Sequence, residues 1–244
     1  MFSFKGKSAK DFGLVVREVE TPLLPSATHR TINVSNMHGA IDVGRKYEPR
    51  EITVQIGIKG DSYESVRSQA RTIAAWLNSD KLEKLVLEDE PDKYYMARIV
   101  DDTDLKPLFR YEETSVTFIA TNPFAISQKP KTVKLSKNNS KKVTVAGTAE
   151  TFPVFNILMD AASDNFTISV KNEKYGTVHM KLFDKFIKGE PVVVDCQSGT
   201  IRVDNRKANI LSLDSDLATL VNGENTITCS GSGTVEMTYT DRWL

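Results

Sequence analysis

The sequence predicts a mainly β protein of the α+β class. An N-terminal β-rich barrel-like or sandwich domain with one flanking helix is followed by a C-terminal antiparallel β-sandwich. Three observations support this: apolar and polar residues alternate over much of the chain, one segment has helical periodicity, and the composition shifts near residue 128. The 244 residues are enough for two domains, predicted here as 1–128 and 129–244.

Period-2 runs predict half-buried strands in the first domain. The segments REITVQIGI and EETSVTFIA each place their apolar residues on one face, and KLVLED and KYYMARIV show the same alternation. The inward-facing positions expected in the first two segments are Ile52, Val54, Ile56, Ile58, Thr114, Val116, Phe118 and Ala120.

A single amphipathic helix is predicted over residues 61–79. Asp61 is the expected N-cap, and Glu64 can complete a capping box three residues later. The apolar positions recur at helical spacing, which predicts a face packed against the sheet. These positions are Tyr63, Val66, Ala70, Ile73, Ala74 and Leu77.

The second domain begins near a basic, polar segment, residues 128–142, which contains Pro130 and is predicted to separate the domains. Short strand-like runs and turn signals then recur about every ten residues, which is typical of an antiparallel β-sandwich. The runs are KKVTVAG, FPVFNILM, NFTISVKN, GTVHMKLF, PVVVDC, GTIRVDN, NTITCSG and GTVEMTYT.

The stretch from Glu18 to Arg50 breaks this regularity. It contains Pro22, Pro25 and Pro49, and only brief strand-like pieces. About 30 poorly periodic residues inside a domain exceed ordinary loop lengths and are more often a functional extension than a plain connection.

The charge balance argues against nucleic-acid or anionic-membrane binding. Residues 1–128 carry 17 basic and 19 acidic side chains, a net −2, and residues 129–244 carry 15 and 13, a net +2. The sequence has no apolar run of the roughly 20 residues that a transmembrane helix needs. It also has no signal-peptide pattern. Protein partners and synthesis in a cytosol are therefore expected.

No catalytic, cofactor or metal motif is found. His29, His38 and His179 lack the spacing to another His, Cys or carboxylate that a metal site or catalytic triad requires. Phosphate-loop and dinucleotide fingerprints are also missing. These observations predict a protein that is not an enzyme and has no cofactor.

The acidic segment LEDEPDKYY leaves an alternative open. Glu88, Asp89, Glu90 and Asp92 could bind a hard cation or form a carboxylate pair for glycoside hydrolysis. Their position at a strand-turn-strand junction with Pro91 favours a solvated hairpin.

Cys196 and Cys229 lie 33 positions apart in strand-like segments. Without a C-x-x-C spacing or a neighbouring His, they are expected to be reduced, part-buried thiols, with a disulfide or a metal site as the alternatives.

Sugar binding by the sandwich is a second alternative. Such sites usually combine an exposed aromatic platform with Asn, Arg or His donors, and the second half has a single Trp, Trp243, at its end.

The chain resembles the distal tail proteins of long, non-contractile-tailed bacteriophages and related prophage tail proteins. The resemblance covers nearly the whole chain and depends on the order and spacing of individually weak motifs. In the first half these are FGLVV, HGAIDVGRKYEPREITVQIGIKG, AAWL, LVLEDEPDKYYMARIV and VTFIATNPFAIS. In the second half they are FPVFNI, VVVDCQSGTIRVDN and LDSDLATLVNGENTITCSGSGTVEMTYTDRWL.

This resemblance implies a hexameric ring, formed by the N-terminal domain, that continues the tail tube. It also implies a galectin-like C-terminal sandwich that docks tail-tip components. The implied partners are further copies of the chain, the tail tube protein, a tail-associated tip protein and receptor-binding or baseplate proteins, in a virion made in the bacterial cytoplasm. The chain is short for the family and has no inserted carbohydrate-binding module, which weakens an alternative role as a carbohydrate-binding adhesin.

Within the ring, the irregular stretch is predicted to be an arm that grips the neighbouring subunit. Its apolar residues need a covering surface, and Tyr and Arg are enriched at interfaces. The alternatives are a hairpin that folds back on its own sheet, an internally packed Tyr47 and a solvated Arg50. The predicted interface residues are Leu23, Leu24, Ile32, Val34, Met37, His38, Tyr47 and Arg50.

Overall fold

The computed structural model describes residues 1–59, 61–100, 106–108, 111–137 and 139–244. The chain divides into two compact units, Met1–Ala125 with Leu244, and Ile126–Trp243. The division lies three residues before the predicted boundary at 128. The predicted mainly β class is confirmed, and the described residues contain one α-helix.

The first unit contains strands β1 to β10, the α-helix α1 and a 3-10 helix. Its main sheet has the antiparallel order β2-β1-β7-β8-β10-β6-β3, with β9 beside β10. The strands are β1 (Phe2–Phe4), β2 (Lys7–Ser8), β3 (Leu14–Glu20), β4 (Ala27–Ile32), β5 (Ile41–Tyr47), β6 (Arg50–Lys59), β7 (Glu83–Leu87), β8 (Lys93–Ile99), β9 (Lys106–Leu108) and β10 (Tyr111–Ala120). The helices are Ala9–Phe12 (3-10) and α1 (Tyr63–Leu77).

The predicted alternation in β6 and β10 is confirmed. All four Ile and Val residues expected to face inward on β6 are buried, and β10 pairs with β6 along its whole length. On β10, Val116, Phe118 and Ala120 are buried, while Thr114 is half-buried near the strand start. Each fully buried Ile, Val or Phe contributes about 1.5–3 kcal/mol, so this pair forms the apolar centre of the unit.

An aromatic cluster joins α1 to the sheet. Trp76 stacks on Phe12 at 4.2 Å and on Phe2 at 5.8 Å between ring centroids, and its Nε1 donates to the carbonyl of Phe4 at 3.0 Å. Phe118 packs against Phe2 and Phe4. Stacked rings add to area burial, and the indole N–H is satisfied, so Trp76 fixes the helix in place. Trp76 was not among the predicted helix-face residues.

The start of the helix and part of its predicted face are corrected by the structure. The N-cap is Ser62, whose side chain accepts the amide of Ser65 at 3.2 Å, and not Asp61. Tyr63 and Ala74 are exposed, because the buried stripe follows Val66, Ala70, Ile73, Trp76 and Leu77 instead. The helix is also two residues shorter at each end than predicted.

The second unit is an antiparallel β-sandwich, and all eight predicted runs are strands. Its six-stranded sheet has the order β12-β21-β14-β17-β18-β19, and its four-stranded sheet has the order β13-β20-β15-β16. The strands from the boundary onward are β11 (Ala125–Ser127), β12 (Lys131–Leu135), β13 (Ser140–Val145), β14 (Val154–Met159), β15 (Ser163–Asn172), β16 (Gly176–Phe186), β17 (Pro191–Asp195), β18 (Thr200–Val203), β19 (Arg206–Lys207), β20 (Gly223–Ser230), β21 (Gly233–Tyr239) and β22 (Arg242–Trp243).

Residues from both sheets share one core. Phe155 and Val194 from the six-stranded sheet belong to the same buried cluster as Phe166 and Met180 from the four-stranded sheet. Because each sheet covers the apolar face of the other, the sandwich has a complete core of its own.

The basic segment 128–142 is not a plain linker. It contains β12 and the first half of β13, each at the edge of a different sheet. Leu135 is buried, and Lys131 binds the buried Asp241 at 2.6 Å. Lysines on an edge strand discourage pairing with other chains, so the basic composition here protects two sheet edges and does not indicate a free connection.

Both cysteines are buried and free, as the sequence favoured. Burial raises the pKa of Cys196 to about 12 and that of Cys229 to about 11. The thiolate is the reactive form of cysteine, so both thiols are inert in the folded protein.

We expect Ile73→Ala to lower the free energy of unfolding by about 2–4 kcal/mol, because it leaves a cavity beneath α1. Arg71→Ala, on the exposed side of the same helix, should cost less than about 1 kcal/mol. Chemical denaturation of both variants checks this. Equal losses would mean that the assigned buried face of α1 is wrong.

We also expect both native thiols to resist a thiol-specific chromogenic reagent at pH 8. Reaction in denaturant should be about 100-fold faster or more, since unfolding restores an ordinary thiol pKa and access. A fast-reacting thiol in the folded protein would contradict the burial of that cysteine.

Candidate assembly surface

The irregular stretch contains a β-hairpin that stands apart from the main sheet. Among the described strands, β4 and β5 pair only with each other, from Ala27 opposite Tyr47 to Ile32 opposite Ile41. We call residues 22–47 the arm. Its hairpin joins no strand of the main sheet within the described part of the chain, so the structure does not show the alternative in which it extends that sheet.

Local backbone features explain why the sequence pattern did not predict this hairpin. Asn36 and Gly39 adopt positive φ angles of 65° and 83° at the tip, which Asn and Gly tolerate best. The register also shifts between Arg30 and Thr31, which leaves Val43 as a bulge beside Gly44. The bulge interrupts the period-2 pattern that identifies a strand.

The arm exposes an unusual amount of apolar surface. Leu23 is 90% exposed, and six further large apolar side chains are about half exposed. A two-stranded hairpin is marginally stable alone, and an exposed apolar patch usually marks an interaction surface. The six are Leu24, Ile32, Val34, Met37, Ile41 and Val43.

The arm is weakly basic. Arg30, Arg45 and Lys46 outnumber Asp42, for a net charge of +2 over residues 22–47. His29 and His38 are exposed on it. The surface therefore combines apolar side chains with a small positive charge and suits burial against a protein better than recognition of a polyanion.

The base of the arm is held by Arg50, which is buried within its own unit and only 3% exposed. Its Nε donates to the carbonyl of Pro123 at 2.9 Å, and its Nη1 donates to the carbonyl of Pro22 at 2.8 Å. The guanidinium also lies 5.7 Å from the ring centroid of Tyr95. Arg50 is thus neither the exposed interface residue nor the solvated residue considered from the sequence.

Tyr47 is half-buried and packs edge-on against Phe124, with ring centroids 5.8 Å apart. This is the internal packing considered as an alternative.

The predicted interface residues thus fall into two groups. Tyr47 and Arg50 lie at the base of the arm, whereas Leu23, Leu24, Ile32, Val34, Met37 and His38 are exposed along it. Val43 is also exposed and apolar, but it was not predicted as an interface residue because the bulge interrupts the alternating pattern around it.

The acidic segment between β7 and β8 is a hairpin turn with ordinary ion pairs. Glu88 binds Lys10 at 3.4 Å, and Glu90 pairs with Lys93. In the described residues, no group of three or more His, Cys, Asp or Glu side chains is arranged to hold a metal ion. No helix in the described part of the chain is long and apolar enough to cross a membrane.

The second unit has a small polar pocket of about 390 Å³, lined by Glu150, Lys174 and Asn222 among others. The exposed Tyr175 donates its hydroxyl to Glu150, and the ammonium of Lys174 lies 5.1 Å from its ring centroid. Trp243 is half-buried in β22. This pocket is one place in the second unit where the sugar-binding alternative can be tested.

Two family descriptions match the chain in succession. Residues 3–120 match the phage tail protein RIFT-related domain, and residues 146–243 match the siphovirus-type tail component, C-terminal domain. The crystal structure of the Dit protein of phage SPP1, described as a paradigm of the hub adsorption apparatus in phages that infect Gram-positive bacteria, has the same fold. Its TM-score is 0.83 at 16% identity, over 100% of this chain and 98% of that one.

The chain belongs to the siphophage distal tail proteins. A second solved structure, the phage P2 baseplate in its activated conformation with Ca, aligns with this distal tail protein at a TM-score of 0.45 and 10% identity. That alignment spans 93% of this chain and 90% of the other. This similarity is too low to carry an argument. No curated protein matches the chain in sequence.

Proposed function

We propose that this protein is a structural hub of the phage tail tip. Six copies form a ring through their first units, join the tail tube protein on one side, and present their second units to a tail-associated tip protein and to receptor-binding or baseplate proteins. The protein is made in the host cytoplasm and resides in the virion. Its membership of the siphophage distal tail proteins supports this proposal.

The single observation that carries the ring proposal is the apolar arm, whose large apolar side chains are left exposed by the described residues of its own unit. In a ring, each subunit uses one surface to grip the next and a different surface to be gripped. A protruding arm supplies the first of these surfaces.

The magnitudes favour a closed ring over a single arm contact. Full burial of a Leu, Ile or Val side chain is worth about 1.5–3 kcal/mol, so covering the half-exposed ones recovers about 1 kcal/mol each. The six half-exposed side chains and the almost fully exposed Leu23 together supply about 8 kcal/mol. Association costs about 4–15 kcal/mol, so one arm contact roughly offsets that cost. A closed ring of six subunits makes six arm contacts for five association steps, and the additional contact supplies the surplus.

We expect that replacing residues 28–46 by a short Gly/Ser turn gives a folded monomer, because the Pro22, Tyr47 and Arg50 contacts at the base remain. Light scattering measures the mass, and circular dichroism checks the fold. Val43→Asp should weaken rings in the same direction. The matched control is Leu213→Asp, fully exposed in the second unit, which should leave ring mass unchanged. Rings of unaltered mass without the arm would refute its role.

The alternative adhesin function has one specific site to test, the pocket beside Glu150. Under the hub proposal, fragments of bacterial cell-wall glycan do not change the melting temperature of the protein. A rise in melting temperature that disappears in Glu150→Gln would instead support sugar binding at this pocket. Lys188→Gln, a surface change elsewhere in the second unit, is the control.

A further inference from the structure

Both ends of the arm are held by the same short stretch of chain. The guanidinium of Arg50 bridges two carbonyls, that of Pro22 where the chain enters the arm and that of Pro123. Tyr47, where the chain leaves the arm, packs against the adjacent Phe124. These contacts hold together the two ends of the arm at its base.

The chemistry of Arg50 is poorly suited to stability alone. It is a buried charge whose hydrogen-bond partners in the described residues are neutral carbonyls. Its Nη2 is buried and has no hydrogen-bond partner among the residues that the structure describes. A buried charge or N–H group that lacks a partner lowers stability, and replacing such groups by apolar side chains is often neutral.

The geometry of Arg50 does suit the fixing of a direction. A planar guanidinium has rigidly arranged donors, so Nε and Nη1 hold two carbonyls at a set separation. The two carbonyls belong to residues 101 positions apart, and one of them opens the arm. Lysine offers a single flexible ammonium and cannot reproduce this arrangement.

We propose that Arg50 is a positioning residue that sets the direction in which the arm leaves its unit. Ring formation depends on Arg50 more strongly than the stability of the fold does. This inference rests on the proposed ring function and adds to it the residue that prepares the arm for its neighbour. Preorganisation of this kind lowers the entropy lost when the arm docks.

The test compares Arg50→Met and Arg50→Lys with Arg71→Met, which makes the same chemical change as the first at an exposed position on α1. Each variant also carries Ser35→Cys, so that a maleimide dye reports on the arm tip. The dye labels this site selectively because the two native thiols are buried. Three quantities are measured: melting temperature, dye anisotropy in the dilute monomer, and the ring fraction by light scattering.

Arg50→Met is expected to melt within about 3 °C of the parent protein, since the Pro22 and Pro123 carbonyls can reach water when the base of the arm opens. Its dye anisotropy should fall, and its ring fraction should drop about tenfold or more at the concentration where half of the parent protein is assembled. Arg50→Lys should show the same two losses although it keeps the charge. Arg71→Met should match the parent in all three measurements.

Two results would overturn the inference. One is a large fall in melting temperature, equal to that of Ile73→Ala, with unchanged dye anisotropy, because Arg50 would then serve the fold alone. The other is a mobile arm with an unchanged ring fraction. If Arg50→Met does not fold, Arg50→Lys and Phe124→Leu carry the same comparison. If the parent protein forms no rings, the ring proposal fails, whereas the anisotropy of the monomers still decides whether Arg50 orients the arm.

Discussion

A strand can bury one of its faces only if a second layer covers it, and this constraint organises the whole protein. In the first unit, α1 covers the sheet, and its Trp76 packs against Phe2 and Phe4 of β1 and against Phe12 of the 3-10 helix. In the second unit, two sheets cover each other. The arm is a single two-stranded layer and has no such cover. Its apolar side chains therefore lack the second layer that covers the other strands.

The sequence predicts elements well where period-2 alternation is unbroken. Strand β6 and the eight runs of the second unit were found because a half-buried strand must alternate. Prediction from the sequence fails where a requirement other than burial of one strand face determines which residues are present. In β12, Lys131 and Lys134 alternate with apolar and small residues and protect a sheet edge, and this made a strand resemble a linker. At α1, either Asp61 or Ser62 can act as a cap, and only the backbone angles at Ser62 decide between them.

The candidate site was predictable in part. The order of residues 18–50 shows apolar side chains without a regular period, and this correctly identified the segment as unusual. The hairpin itself was not predictable, because the bulge at Val43 and the positive φ of Asn36 break the pattern that a strand search uses. Arg50 was misplaced for a different reason. The carbonyls that accept its hydrogen bonds belong to residues 28 and 73 positions away in the chain. Nothing in the sequence around Arg50 shows that these residues lie close to it.

The balance of forces on the arm also fits a particle that leaves the cell. Surface charges separated by more than about 8 Å are largely screened at physiological salt, so an assembly held mainly by charge would weaken as ionic strength rises. The arm has a net charge of only +2 beside seven large apolar side chains. Apolar burial is not screened by salt, and strongly hydrated anions such as sulfate strengthen it. A ring closed by such arms would therefore keep its contacts when the virion meets media of different salt content.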